Sequence, residues 1–169
     1  MIETFPAREQ DRMFEFEVFV SAKLSEMKLR KDPLYGSVSE AELESLMAKA
    51  FHAKRRELRM RYPGLRYEIV KYGDIPIGTI ATDETGDVID LADLAIIKPF
   101  RNLGIGTRLI RGLLRHAERQ GKPVRVFLEA GSPALRLFLR NGFELENRIA
   151  ARLELVWKPK IGSTPVIAE

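Results

Sequence analysis

Two glycines and an arginine lie between an apolar segment and an amphipathic segment, in the stretch Arg101–Gly106. Gly104 and Gly106 allow the backbone to turn so that several N–H groups point the same way. A helix that follows adds its free amides and the positive end of its dipole, and Arg101 adds a charged donor. The stretch therefore predicts a loop that binds a di- or triphosphate anion, with a plain turn as the alternative interpretation.

The loop differs from two familiar phosphate-binding motifs. A P-loop needs Gly-Lys-Ser/Thr, and Gly106-Thr107-Arg108 does not supply it. A Rossmann fingerprint needs a third glycine where Leu109 stands. Neither a P-loop nor a dinucleotide-binding turn is predicted.

Two blocks of sequence resemble the GCN5-related N-acetyltransferase (GNAT) superfamily. The family signature Arg/Gln-x-x-Gly-x-Gly/Ala, with its flanking aromatic and apolar residues, is matched by Phe100, Arg101, Gly104, Gly106, Leu109 and Ile110. The segment 133–143 looks like the family's Asn-Pro-Ala-x-x-Leu-Tyr-x-x-x-Gly-Phe block, and the order of elements fits from Tyr62 to Trp157.

The resemblance implies an enzyme that transfers the acetyl group of acetyl-coenzyme A (acetyl-CoA) to a primary amine of a small molecule or protein, by direct attack and without a metal. It also implies that the two central strands splay apart after a bulge and that unpaired backbone groups at Ile96 and Ile97 bond the pantetheine amides. The cofactor-binding residues that follow are Ile96, Ile97, Arg101, Asn102, Leu103, Gly104, Ile105, Gly106, Thr107, Ser132 and Phe138.

The attacking amine must lose a proton, and carboxylates are candidate acceptors. Glu129 ranks first because it ends the second splayed strand, where several family members carry a glutamate. Asp93 is the second candidate and Asp90 a further competitor, both on the central strand. A water relay is the alternative to any of them.

The chain departs from the family where a tyrosine usually protonates the leaving thiolate. Phe138 stands there and has no hydroxyl, and the family's asparagine position holds Gly131 or Ser132. Three explanations compete: the thiolate departs without help, Ser132 or Tyr35 supplies the hydroxyl, or the protein is a non-catalytic acyl-CoA sensor or interaction module.

These residues need a scaffold, and the apolar periodicities predict one. The predicted fold class is α/β (α+β), a GNAT-like, mixed, mostly antiparallel sheet flanked by helices. The predicted helices are 7–30, a second one capped by Ser39 that reaches Arg61, one from Gly106 to Gln120, and 132–140; the strands are 1–5, 65–72, 75–82, 88–97, 124–128 and 148–157.

Length and composition bound the remaining possibilities. We expect one domain over 1–160 and a flexible tail over 161–169. The chain has no cysteine, no targeting or membrane-spanning segment and a net charge of +4, so we expect a cytoplasmic protein. Lys and Arg are interleaved with Asp and Glu, which makes nucleic-acid binding unlikely; a tRNA contact through 54–61 is the minority interpretation.

Two expectations concern metals and partners. His52 and His116 are solitary, so we expect no metal site. Exposed strand edges near 148–157 suggest a homodimer. The amine acceptor is not identified by the sequence.

Overall fold

The computed structural model describes residues 1–160 and has a mixed α/β fold. Its seven strands form a sheet in the order β1-β2-β3-β4-β5-β7-β6. The strands are β1 (Ile2–Pro6), β2 (Arg66–Tyr72), β3 (Ile75–Asp83), β4 (Ile89–Ile96), β5 (Val124–Glu129), β6 (Glu144–Ile149) and β7 (Arg152–Trp157). The helices are α1 (Arg12–Leu29), α2 (Glu40–Arg61), α3 (Ile105–Gln120) and α4 (Leu135–Arg140). The predicted fold class is confirmed, whereas the predicted tail, 161–169, lies outside the described residues.

The described chain divides into two compact units. Unit 1 contains Met1–Ala81 and Asp93–Leu103. Unit 2 contains Thr82–Ala92 and the described residues from Gly104 onward. The single domain expected for 1–160 stays a prediction.

Unit 1 contains the pair formed by β1 and β2 and aromatic packing between its two helices. β1 pairs antiparallel with β2, from Ile2 opposite Tyr72 to Pro6 opposite Glu68. The rings of Phe16 and Phe19 in α1 lie 5.4 and 5.5 Å from the ring of Phe51 in α2. The largest fully buried side chains of this unit are Val18, Ile69, Val70 and Ile77.

β3 and the end of β4 approach each other closely at Gly78. A Cβ atom there would lie 2.7 Å from Ile96 Cδ1 and 3.2 Å from Ile96 Cα, and nearer still to the Ala95 carbonyl oxygen. Because two of these atoms are backbone, rotation of a side chain could not relieve the clash. Glycine is therefore required here by space.

Unit 2 contains a parallel strand pair and two antiparallel pairs, β5 with β7 and β6 with β7. Ile89–Leu91 of β4 pair in parallel with Val124–Val126 of β5, and β5 pairs antiparallel with β7. α3 buries Ile110, Leu114 and Ala117 on one side, as its 3.6-residue apolar period predicts. Gly121 ends α3 in the left-handed conformation, with φ +65°, which agrees with the predicted stop.

Two predictions about the C-terminal half were wrong. The predicted final strand 148–157 is two strands, β6 and β7, joined by a turn in which Ala150 has φ 54°. β7 lies between β5 and β6, so β6 is the outer strand at that side of the sheet. Every residue of β6 is exposed, so no apolar alternation marked it as a strand.

The other correction concerns the helix predicted to begin at Ser132. α4 begins at Leu135, because Ser132, Pro133 and Ala134 form a turn in which Ser132 Oγ accepts a hydrogen bond from the Ala134 N–H at 3.2 Å. The predicted cap of α2 is confirmed, since Ser39 Oγ accepts from the Glu42 N–H at 3.2 Å.

Within 1–160, no helix combines the length and the apolar character that a membrane span requires.

Candidate active site

The loop Arg101–Gly106 enters α3 through two residues in the left-handed conformation. A 3₁₀ turn, Lys98–Phe100, follows β4, and Arg101 is extended with φ −78° and ψ 158°. Asn102 has φ 61° and Gly104 has φ 78°. Asparagine tolerates this region better than most side chains do, and glycine adopts it freely. The predicted tight turn is present, and the left-handed conformation of Asn102 was not predicted from the sequence.

The start of α3 is an electropositive helix end. The first helical bond runs from the Arg108 N–H to the Gly104 carbonyl at 3.1 Å, and the preceding amides at Ile105, Gly106 and Thr107 have no acceptor inside the helix. The first turn carries no acidic side chain. These amides and the helix dipole together favour an anion at this position.

Gly106 leaves this backbone uncovered. A Cβ atom there would meet only Leu137 Cδ2, at 3.5 Å, which is an ordinary van der Waals contact. Neither packing nor a positive φ therefore requires glycine at this position. The missing side chain instead opens the first turn of α3 to a close approach by a ligand.

Arg101 makes its hydrogen bonds inside unit 1. Nε donates to the Ile96 carbonyl at 2.7 Å, Nη1 to Ser25 Oγ at 2.8 Å and Nη2 to Ser21 Oγ at 3.2 Å. The sequence predicted a contact of this guanidinium with phosphate, which stays a prediction. What the structure adds is that three neutral oxygens already hold the side chain.

One backbone group of Ile96 and one backbone group of Ile97 form hydrogen bonds within the protein. The Ile96 carbonyl accepts from Arg101, and the Ile97 N–H donates to the Ile77 carbonyl of β3 at 2.9 Å. The expectation that these groups are unpaired was therefore wrong for one group of each residue. The reason is local: the 3₁₀ turn folds Arg101 back onto the end of β4.

Two amides, at the start of β4 and just after its end, donate to different neighbours. The Ile89 N–H donates to the Pro123 carbonyl, beside β5, whereas the Ile97 N–H donates to β3. Successive amides of an extended strand alternate in direction, so residues 89 and 97 of a regular strand would donate to the same side. Ile97 lies just beyond the end of β4 at Ile96, so the bulge and the splayed strands that the resemblance implies stay predictions.

The three candidate carboxylates have different surroundings. Glu129 is exposed at the end of β5, opposite Arg152 of β7, and takes part in no ion pair within 1–160. Asp93 is 28% exposed and forms an ion pair with Lys54, with 3.0 Å between Oδ1 and Nζ.

Asp90 is held more tightly than either. Its two carboxylate oxygens accept from Arg125 Nε and Nη2 at 2.7 and 3.1 Å. This two-point contact gives Asp90 the geometry of a structural ion pair.

The residue at position 138, in α4, is a buried phenylalanine and carries no hydroxyl. Phe138 is 3% exposed and its ring packs edge-to-face on Phe143, with the centroids 5.1 Å apart. Ser132 Oγ is engaged by the Ala134 N–H. Phe138 thus has a packing role in unit 2, whatever its further contribution to a cofactor site.

Sequence reasoning missed a polar cluster in unit 1, formed by α1, α2 and β2. Glu15 is 5% exposed and pairs with Arg55 at 3.1 Å and with Arg12 at 3.4 Å. The Arg55 guanidinium lies 4.2 Å from the ring centroid of Tyr67, and that of Arg59 lies 5.5 Å from it. The first two residues of the basic segment 54–61 form ion pairs within unit 1, Lys54 with Asp93 and Arg55 with Glu15.

Tyr67 carries the one buried side-chain oxygen or nitrogen within 1–160 for which no hydrogen-bond partner is present. Burial raises the pKa of the Tyr67 phenol above its ordinary value of 10.0, although the charges of Arg55 and Arg59 oppose the rise. The phenol is therefore neutral at physiological pH.

This environment predicts the behaviour of Tyr67→Phe. Removing an unpartnered hydroxyl should leave the free energy of unfolding at pH 7 unchanged or raise it by about 1 kcal/mol. The pKa of Tyr67 is higher in the folded chain than in the unfolded chain, so the unfolded chain loses this proton first as the pH rises. The contribution of Tyr67 to stability is therefore present below pH 10.0 and is lost as the pH rises through the folded pKa. Tyr67→Phe should therefore lose less stability above pH 10.0 than the wild type does.

Urea unfolding at pH 7 and above pH 10 measures both effects. Tyr35→Phe, at a tyrosine that is 48% exposed, is the matched control and should change neither. A clear loss of stability in Tyr67→Phe at pH 7 would mean that the hydroxyl has a partner in solution.

Within 1–160, no group of three or more His, Cys, Asp or Glu side chains could hold a metal ion. His116 Nε2 lies 3.0 Å from Glu84 Oε2. His116 therefore contacts a carboxylate, that of Glu84, which lies 32 positions away in the sequence. From the sequence, His116 was interpreted as solitary because it has no acidic residue at metal-ligand spacing.

Comparisons with known proteins agree with this architecture. The model of the family described as Acetyltransferase (GNAT) matches residues 28–143. No curated protein matches the chain.

Solved structures of low sequence identity share the fold. PaiA N-acetyltransferase from Thermoplasma acidophilum, in complex with coenzyme A, is 16% identical with a TM-score of 0.68, covering 94% of this chain and 99% of that one. A GNAT family acetyltransferase from Elizabethkingia anophelis with acetyl-CoA bound is 14% identical with a TM-score of 0.59, covering 93% and 97%. The ribosomal-protein-S18-alanine N-acetyltransferase from Escherichia coli is 12% identical with a TM-score of 0.62, covering 97% and 98%.

Proposed function

Because the chain belongs to the acetyltransferase (GNAT) family, whose model matches residues 28–143, we propose that it transfers the acetyl group of acetyl-CoA to a primary amine. The amine attacks directly, and the acceptor is a small molecule or a protein amine. The observation that carries the proposal is the entry to α3, where a left-handed Gly104 precedes free amides that no side chain covers at Gly106.

The residues of this loop fit the diphosphate of coenzyme A. Amides of Ile105, Gly106 and Thr107 donate to its oxygens, and the positive end of α3 favours its charge. The first turn holds no carboxylate that would repel it. When bound, acetyl-CoA supplies an acetyl thioester that is activated for transfer.

Proton removal from the amine is assigned to Glu129. Its carboxylate is exposed and has no ion-pair partner within 1–160, whereas Asp93 is paired with Lys54 and Asp90 with Arg125. A carboxylate without a partner can accept a proton without first losing an ion pair. Asp93 remains the second candidate, since its Oδ2 accepts no hydrogen bond within the described chain.

A second candidate function rests on Phe138. A buried phenylalanine stands where the family usually has a thiolate-protonating tyrosine, and a non-catalytic acyl-CoA sensor or interaction module would not need the hydroxyl. Both functions require the cofactor. They differ in whether an amine is acetylated.

Thermal unfolding with and without acetyl-CoA tests the shared requirement. At about 100 times the dissociation constant, binding adds roughly 2.7 kcal/mol, which raises the midpoint by about 5–10 °C for a chain of this length. Gly106→Trp should remove the shift, because its side chain would cover the first turn of α3.

Gly112→Ala is the control for a change at a glycine of α3. Its Cβ would meet only the far end of Arg115, at 3.8 Å, so the shift should persist. A wild type whose midpoint does not respond to acetyl-CoA would disprove both candidate functions. A response without acetylation of any amine in a screen would favour the sensor.

A further inference from the structure

One side chain joins three segments of unit 1. Arg101 donates to the carbonyl of Ile96 at the end of β4 and to the hydroxyls of Ser21 and Ser25 on α1. Ser21 and Ser25 are four positions apart, so their hydroxyls lie on the same side of the helix. Arg101 is also the first residue of the cofactor loop.

The partners of Arg101 are all neutral. No carboxylate within residues 1–160 forms an ion pair with it. Its guanidinium is only partly exposed, so the hydrogen bonds to neutral oxygens replace much of its hydration. Hydrogen bonds to a charged group are stronger than those between neutral groups, and three of them fix the orientation of this side chain.

We propose that Arg101 is a positioning residue that ties the start of the cofactor loop to α1, so that Ser21 and Ser25 set the affinity for coenzyme A without touching it. The proposal rests on the proposed function of the loop. It replaces a direct contact of Arg101 with phosphate by a contact with the protein's own helix.

The conformation of Asn102, the residue after Arg101, explains why the contact of Arg101 with α1 helps the loop to bind its ligand. Asn102 has φ 61°, a conformation that asparagine adopts more readily than most residues but that still costs energy relative to a negative φ. Fixing Arg101 directly before Asn102, with the left-handed Gly104 two residues after Asn102, holds the loop in the shape that presents its amides. A loop already ordered loses less entropy when the ligand binds.

The hydrogen bonds of Arg101 restrict a two-point contact of its guanidinium with phosphate. Such a contact uses Nε together with one Nη, or both Nη atoms. Nε is already committed to Ile96, and each Nη already donates to a serine. One N–H of each Nη is left, so a phosphate could be bound only through those two N–H groups, and a contact through Nε would displace the bond to Ile96.

Calorimetric titration with coenzyme A, at low and raised salt, tests the proposal on four proteins. These are the wild type, Ser21→Ala/Ser25→Ala, Arg101→Gln and the triple variant. We expect the double serine variant to bind about 5–20-fold more weakly, from the loss of two hydrogen bonds to a charged group. Arg101→Gln should weaken binding by at least as much, and the triple variant should be no weaker than Arg101→Gln.

Conservative and matched variants separate positioning from general damage. Ser21→Thr/Ser25→Thr keeps both hydroxyls and should restore most of the affinity. Ser45→Ala on the exposed side of α2 and Arg119→Gln at the exposed end of α3 control for loss of a helical serine and of one positive charge. Neither control should change the affinity by more than about 2-fold, because surface changes of this kind have small effects.

A different pattern would overturn the proposal. If the double serine variant binds like the wild type, while Arg101→Gln weakens binding and reduces its dependence on salt, Arg101 contacts phosphate directly. Additive effects of the serine and arginine changes would contradict a tie as well.

Failure of the proposed function would be recognised separately. A wild type that does not bind coenzyme A disproves the cofactor assignment and, with it, any effect of the serines on affinity. The tie itself is then judged by thermal unfolding alone. Arg101→Gln and the double serine change should each lower the midpoint by about 2–6 °C, and their combination by no more than Arg101→Gln alone; full additivity would refute the tie.

Discussion

Glu129→Gln is expected to lower kcat by about 10²- to 10⁴-fold while the KM for acetyl-CoA stays nearly unchanged. General-base catalysis contributes a factor of this size. Gln keeps the size and polarity of the side chain but cannot accept the proton. Since Glu129 is exposed and has no ion-pair partner within 1–160, the substitution should leave the fold intact.

The pH dependence identifies the base. In the wild type, kcat/KM should fall on the acid side as the catalytic carboxylate is protonated, and this limb should disappear in Glu129→Gln. Release of the coenzyme A thiol, with an amine found by screening, provides the assay. Glu144→Gln, on the exposed strand β6, is the matched control and should behave like the wild type.

Asp93→Asn is the competing variant. A large loss of kcat in Asp93→Asn, together with normal activity in Glu129→Gln, would assign the base to Asp93. Normal activity in both single variants would point to a water relay. Because Asp93 is paired with Lys54 at 3.0 Å, its variant needs a stability measurement beside the kinetics.

Glu15→Ala is expected to lower the free energy of unfolding by about 3–5 kcal/mol. Removing one member of a buried ion pair leaves the other charge without compensation, and that is the range measured for such changes. Glu15 is 5% exposed and Arg55 is 11% exposed. Arg12 would lose the same partner, at a smaller cost because it is 48% exposed.

The matched control is Glu17→Ala, two positions further along α1 at an exposed site, which should cost less than about 0.5 kcal/mol. Glu15→Leu combined with Arg55→Met should recover more than half of the loss, because an apolar pair leaves no unpaired charge. Urea unfolding should be followed both by circular dichroism and by the fluorescence of Trp157, the single tryptophan. A loss in Glu15→Ala no larger than that in Glu17→Ala would show that the ion pair adds little.

The sequence predicted those parts of the fold that depend on local signals. The apolar period of α3, the Ser39 cap and the left-handed Gly121 depend on neighbouring residues, and all three are present. β6 was missed because all of its residues are exposed and its apolar alternation is weak. The loop before α3 was predicted from its glycines, from Arg101 and from the helix that follows, and the resemblance to the family named its cofactor.

The polar contacts of Arg101 and Glu15 were not predictable, because they join distant positions. Arg101 contacts Ser25 and Ser21 across 76 and 80 positions. Glu15 contacts Arg55 across 40 positions. No local sequence pattern distinguishes an arginine that binds a phosphate from one that donates to a serine of a helix. The loop could therefore be recognised from the sequence, whereas the partners of Arg101 could not.

The pairing of β1 with β2 has a consequence for synthesis on the ribosome. Ile2 lies opposite Tyr72, so about 70 residues separate the two ends of the pair. At about 5–20 residues per second, β1 waits for roughly 4–14 seconds before its partner strand is translated. During that interval its backbone groups are open to other chains, and the polar residues Glu3 and Thr4 within it reduce the chance that it pairs with the wrong strand.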